Sequence, residues 1–221
     1  MERQGYTKTK SDRQSFILDS SYFTYVNTGG NKDYIKFDIN YVMRAHIYTS
    51  ERKLIINKEF KGEKGINTLN SIELYGSKIN ALNNRAAVRD LYDVWNLVKS
   101  EKLNNKKDQL RKAVIFYHVL TSDKINGSFD LSITNKINQH RILRELVPVL
   151  KKGEVFILKD ALESVHQFIA ELMVLSVDEI DFIKKFQNGN YCPELLFGDS
   201  QIIRRISNHP MARWIVCKQK K

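Results

Sequence analysis

Cysteine, proline and long apolar runs are all scarce in this 221-residue chain, and each scarcity removes a class of protein. Cys192 and Cys217 stand far apart, in no Cys-x-x-Cys pattern and without clustered histidines, so neither a zinc site nor a disulfide framework has its ligands. A reducing cytoplasm is the expected compartment. No apolar stretch approaches the roughly 20 residues that span a bilayer. Met1-Glu2-Arg3-Gln4-Gly5 also lacks the apolar core of a signal peptide, so no membrane partner is expected. With only three prolines and ten glycines, long disordered linkers have little room, and order is expected nearly throughout.

Concentrated charge is missing too. The formal net charge is +11, but counting Lys and Arg against Asp and Glu spreads it as +4, +5 and +2 over residues 1–70, 71–150 and 151–221. That is no stripe of the kind a dedicated DNA reader carries. Diffuse basicity suits a phosphate-bearing partner, whose local concentration it raises. It suits a merely lysine-rich surface equally well.

What is present divides at about residue 70. Phe16, Leu18 and Tyr22 to Val26 read as a strand, Asn27-Thr28-Gly29-Gly30-Asn31 as a turn tolerant of positive φ, and the run after it as a second strand. In that second run Ile35, Phe37, Ile39 and Tyr41 alternate with Lys36, Asp38 and Asn40, which predicts one buried face and one polar face carrying Asp38. A third strand is expected over Lys53 to Phe60, ending in a Gly62 to Gly65 turn. From Ser71 the period becomes helical: Leu74, Ile79 and Leu82, then Val88, Leu91, Tyr92, Trp95 and Val98, build apolar faces. Further helices are expected at Lys106–Leu120, Lys136–Lys151, Lys159–Leu175, Val177–Gln187 and Asp199–Asn208, with Asp178 and Asp199 near helix starts and Asn126-Gly127 and Gly153 as breaks. The reading is an α+β fold with a β-rich part at 1–70 and a helical part at 71–221. Lys218 to Lys221 reads as a solvated tail.

The chemistry-bearing stretch runs from Ser71 to Trp95. On a helix Arg89 and Asp93 are neighbours, Arg85 joins them if no break intervenes, and Asp90 lies one residue's rotation from Arg89; Lys78 sits one helix earlier. A lysine, two arginines and two carboxylates beside aromatic rings would suit a triphosphate, the cations neutralising charge while a carboxylate orients the lysine. The same residues would also serve as an ion-pair network fixing the helices to the sheet. Tyr75, Tyr92 and Trp95 could stack on a base, with core packing the expectation for the latter two. His118, His140 and His166 have no ligand partners at suitable spacing, and His46 belongs to no motif.

The run Glu73-Leu74-Tyr75-Gly76-Ser77-Lys78-Ile79-x-Ala81-Leu82, with Arg85 and Arg89-Asp90-Leu91-Tyr92-Asp93, resembles the signature of AbiEii/AbiGii toxin-family nucleotidyltransferases. Ile35 to Tyr41 upstream, with Tyr191 to Phe197 and His209 to Ala212 downstream, extend the resemblance along the chain. It implies a partial polymerase-beta-type nucleotidyltransferase sheet followed by a helical region. It further implies a toxin–antitoxin or phage-defence role, in which a nucleotidyl group passes from a nucleoside triphosphate to RNA, tRNA included, or to protein, with Mg²⁺ and a cognate antitoxin. By matching position to position, Asp38 would be a metal-binding acid, Lys78 would contact phosphates, Asp93 would be the functional acid of the arginine-aspartate motif, and Arg85, Arg89 and Asp90 would line the nucleotide site.

One element of that pattern is missing. Relatives hold two metals with a Gly-Ser turn followed by Asp-x-Asp, but Gly76-Ser77 leads to no such pair, Gly127-Ser128 leads only to Asp130, and Asp178 to Asp181 is wrongly spaced. The opening Glu2 to Tyr6 resembles a point beyond that segment in longer relatives, which implies an N-terminal truncation. Phosphoryl transfer of this kind depends on metal positioning, so the chain alone is expected to be inactive, either as part of a larger enzyme or as a remnant that binds nucleotide, RNA or antitoxin. Missing strands would leave a sheet edge open to self-association.

Overall fold

The computed structural model describes residues 3, 5–9, 13–15, 17–54, 65–122 and 129–219. The fold is α+β: two small antiparallel sheets precede a large helical body. In the first sheet β3 (Leu18–Val26) is central. It pairs along its whole length with β4 (Lys32–Asn40), from Leu18 opposite Asn40 to Val26 opposite Lys32, while β1 (Thr7–Lys8) and β2 (Arg13–Gln14) pair with it in succession on its other edge. Asn27 closes the hairpin through its side chain, whose Oδ1 accepts from the Gly29 and Asn31 amides at 3.0 Å each, and Gly30 takes φ +78°.

The second sheet is β5 (Glu51–Leu54) paired with β6 (Gly65–Thr68), so of the strand expected at Lys53 to Phe60 the described part, Lys53 and Leu54, is extended and the strand starts two residues earlier. Phe16, residues 55–60 of that strand, Gly62 to Lys64 of its turn, Asn126-Gly127-Ser128 and the last two lysines lie outside the described residues. This ribbon docks on the start of α1 (Ser71–Arg85): Asn70 caps that helix by accepting from the Ile72 amide at 2.9 Å, and its amide group donates to Glu51 at 2.7 Å.

The helices that follow are α2 (Val88–Ser100), α3 (Lys107–Thr121), α4 (Gln139–Glu145), α5 (Leu158–Leu172), α6 (Val177–Gln187), α7 (Ser200–Ile206) and α8 (Pro210–Gln219). The helix expected over Lys136–Lys151 is broken into 3-10 turns at Leu131–Lys136 and Val147–Val149 around a two-turn α4. Pro148 explains the second break, because it supplies no amide to continue an α ladder. The expectation missed α8, which Pro210 opens from a position that suits it.

α3 is the hub. Leu110 and every residue from Ala113 to Leu120 are buried, so it is covered all round, as an innermost helix must be. α1 crosses it at Gly76, where an added Cβ would lie 2.7 Å from the Ala113 Cβ. Among the described residues the core runs from Ile47 to Val216 and takes nothing from β1, β3 or β4. The apolar face predicted for β4 is therefore not buried: Phe37, Ile39 and Tyr41 are exposed and Ile35 is half-buried. Its rings meet other strand residues instead, Phe37 edge-on to Phe23 at 5.6 Å and Tyr22 with Tyr34 at 6.2 Å.

Two outcomes test this packing. Gly76→Ala gains about 1 kcal/mol of helix propensity but overfills the α1–α3 contact, an error that costs about 1–3 kcal/mol. The overlap wins, and the thermal midpoint falls by a few degrees, about 2–4 °C per kcal/mol for a chain this size. His209, fully buried before α8, has its pKa pushed down to about 4 by desolvation and then by His46. A depressed histidine contributes stability that is complete above the unfolded value near 6.5 and is lost as pH falls toward 4. Denaturant midpoints should therefore drop between pH 7 and pH 4.5, and His209→Phe should flatten that part of the profile.

Candidate functional site

Asp38 lies on the even-numbered face of β4, opposite Ser20. Its Oδ1 accepts from the Ser20 hydroxyl at 2.6 Å and its Oδ2 takes the Lys36 ammonium at 2.9 Å, and these partners, Ser20 first, hold its pKa below the usual carboxylate range. Both oxygens are thus engaged within the hairpin.

Lys78, Arg85, Asp90 and Asp93 form a separate ladder between α1 and α2. Lys78 and Arg85 are seven apart on α1, two turns, and so share a side; Asp90 and Asp93 share a side of α2. Ala86, in left-handed conformation at φ 46°, reverses the chain between the helices. Arg85 then meets Asp90 through Nε at 2.7 Å and Nη2 at 2.9 Å, and Lys78 meets Asp93 at 2.7 Å. Asp90 is buried while its guanidinium partner is 66% exposed, whereas Lys78 and Asp93 are each a little over one third exposed. The bond to Asp90 raises the Arg85 pKa further. The same reversal separates Arg85 from Arg89, which are not neighbours on one helix. Arg89 is exposed, and its one hydrogen bond among the described residues goes to the Glu145 carbonyl at 3.4 Å. Arg141 reaches the Ala86 carbonyl from α4.

Among the described residues no hydrogen bond or ion pair joins Asp38 to this ladder, and no three His, Cys, Asp or Glu side chains converge as a metal site would require. Gly76-Ser77 lies in mid-helix, the serine hydroxyl donating to the Leu74 carbonyl, so it is no phosphate turn. The described residues do not fit the Mg²⁺ that the resemblance implies. Trp95 is buried and Tyr92 half-buried, both against Phe156, and Tyr92 donates to Glu154 at 2.6 Å. His118 is buried beside Phe129, and His166 lies 2.9 Å from Thr134.

Sequence reasoning passed over Glu73, the most thoroughly enclosed acid in this region. Its carboxylate is fully buried and accepts from the Ile47 amide at 3.0 Å, the Tyr48 amide at 3.3 Å and the Tyr117 hydroxyl, with His46 Nδ1 at 3.3 Å. Burial and then Glu73 push Tyr48 up to about 12 and raise Tyr117 as well, keeping that hydroxyl a donor. Arg205 of α7 completes the clamp by donating from Nε and Nη2 to the Ile47 carbonyl at 3.1 and 2.9 Å. The segment leaving β4 is thereby tied to α1, α3 and α7. A signal existed: Glu73, Gly76 and Asn80 share one side of α1, and a carboxylate on a side otherwise small or apolar is destined for burial.

A family model described as Nucleotidyl transferase AbiEii toxin, Type IV TA system, matches residues 4–175, so the motifs at Tyr191 to Phe197 and His209 to Ala212 lie outside the match. No curated protein and no solved structure matches the chain.

Glu73→Ala leaves the Ile47 and Tyr48 amides and the Tyr117 hydroxyl without their acceptor, at about 1–3 kcal/mol for each buried donor. Chemical denaturation should register a loss on the order of 3 kcal/mol or more, partly recovered in Glu73→Gln. A loss below about 1 kcal/mol would show that the clamp is not structural.

Proposed function

Since the chain belongs to the nucleotidyl transferase AbiEii toxin family of type IV toxin–antitoxin systems, we propose that it binds a nucleoside triphosphate across the α1–α2 ladder. Lys78 and Arg85 take phosphate oxygens there, Arg89 supplies a further exposed cation, and Asp93 orients the Lys78 ammonium. The observation that carries this is the Lys78–Asp93 contact. A half-exposed lysine held by one carboxylate is positioned yet available, because an exposed ion pair contributes only about 0–1 kcal/mol while hydrogen bonds to charged groups contribute about 1.5–3 kcal/mol. A multiply charged phosphate can therefore replace Asp93 as the partner of Lys78. Asp90 is buried under Arg85 and acts as a fixed counter-charge that positions the guanidinium.

Nucleotidyl transfer is the activity that the family name supports; the acceptor proposed for a complete site is an RNA or protein hydroxyl. The acids that would hold metal do not converge among the described residues, which favours a second reading, that this chain by itself binds without turnover. RNA is the acceptor its charge of +11 suits best, and a cognate antitoxin is the protein that completes the system.

Calorimetry with each nucleoside triphosphate should give measurable heat, and Lys78→Ala should weaken the association by about tenfold or more. Labelled triphosphate with Mg²⁺ and cellular RNA should leave no label on the acceptor. Heat from no nucleotide would overturn the binding reading, and label transfer would overturn the inactivity.

A further inference from the structure

We infer that the outer edge of β4 pairs antiparallel with β4 of a second copy of this chain, in a register centred on Phe37. The inference stands apart from the nucleotide reading and does not rest on it.

Among the described residues β4 is hydrogen-bonded along one side only, to β3. The pattern of that ladder says which groups are left over. Tyr41 donates to the Ile17 carbonyl at 3.0 Å, and Asn27 donates to the Asn31 carbonyl at 2.9 Å, so the odd-numbered residues of the strand face β3. The N–H and C=O groups of Tyr34, Lys36, Asp38 and Asn40 therefore point to the open edge, over a strand long enough to template another.

The side chains select one occupant and one register. Around Phe37 the order is Ile35, Lys36, Phe37, Asp38, Ile39, with opposite charges at mirror positions and isoleucine beyond each. In an antiparallel pair about Phe37, Lys36 lies opposite Asp38 of the second copy and Asp38 opposite its Lys36, each such pair exchanging both backbone hydrogen bonds. On the other face Ile35 meets Ile39, and the two Phe37 rings meet each other. A register centred on Lys36 would oppose two lysines, one centred on Asp38 would oppose two aspartates, and one centred on Ile35 would set Asp33 against Phe37. Like charges directly opposite are destabilising, while opposite charges and apolar pairs contribute.

Lysine on an edge strand ordinarily resists pairing. Here Lys36 already lies 2.9 Å from Asp38 of its own strand, so pairing with the second copy joins the two ion pairs into one alternating set of four charges. Phe37 and Ile39 are 43% and 52% exposed and belong to no core, so their joining covers apolar surface that the single chain leaves in water.

Light scattering on the nucleotide-free chain should give a mass moving toward twice 25.8 kDa as concentration rises. Lys36→Asp sets two aspartate pairs opposite each other and Asp38→Lys two lysine pairs, so each variant alone should raise the dimer dissociation constant by about tenfold or more. Mixing the two restores opposite charges at both positions and should restore the dimer. Phe37→Cys, with Cys192→Ser and Cys217→Ser, should form an interchain disulfide on mild oxidation, because a non-hydrogen-bonded antiparallel pair brings Cα atoms to about 4.5 Å. A monomer at every concentration, a dimer indifferent to either charge reversal, a mixture that fails to reassociate, or no crosslink at position 37 would each overturn the inference.

Discussion

The carboxylate of Glu73 is the interaction on which the arrangement of this protein rests. A buried acid is costly unless its oxygens are filled, and here backbone amides from one segment and a tyrosine hydroxyl from the hub helix fill them. Arg205 takes the carbonyl of Ile47, the same residue whose amide Glu73 accepts, so the link between the hairpin and the helices is gripped on both sides of one residue. That grip matters because β3 and β4 give nothing to the hydrophobic core, and the residue entering β3, Ile17, meets the helical body at a cavity beside Leu120 and Trp214.

The ladder between α1 and α2 follows from the turn that joins them. A left-handed Ala86 brings the end of one helix back against the start of the next, and each carboxylate finds a cation across the gap rather than along its own helix. The two rungs differ physically. Asp90 is buried and belongs to the architecture; Asp93 and its lysine are each about one third exposed to water.

Much of this was legible in the residues. The hairpin, its glycine-bearing turn, helix α6 and the start of α1 follow from alternation and periodicity within a few positions, and the family pattern lies in the same stretch. Less legible were the fate of β4 and the breaks in the Lys136–Lys151 segment. Alternation in β4 marks two faces but cannot say whether anything covers the apolar one, and no core residue comes from it. Glu73 was visible as a letter in a motif and not as a buried clamp, because its partners lie at Ile47, Tyr48 and Tyr117.

By itself the sequence determined the α+β order, the hairpin, most of the longer helices and the family, because those are carried by local periodicity and contiguous motifs. Tertiary structure alone decided that Lys78 pairs with Asp93 and Arg85 with Asp90, that Asp38 is held by Ser20 and Lys36, and that Ile47 is clamped between Glu73 and Arg205. The physical reason is that each contact needs a turn or a packing arrangement as well as the residue types: even Arg85 and Asp90, five apart, meet only because Ala86 reverses the chain. Such contacts depend on how helices and strands settle against one another, and no spacing of neighbouring residues specifies that.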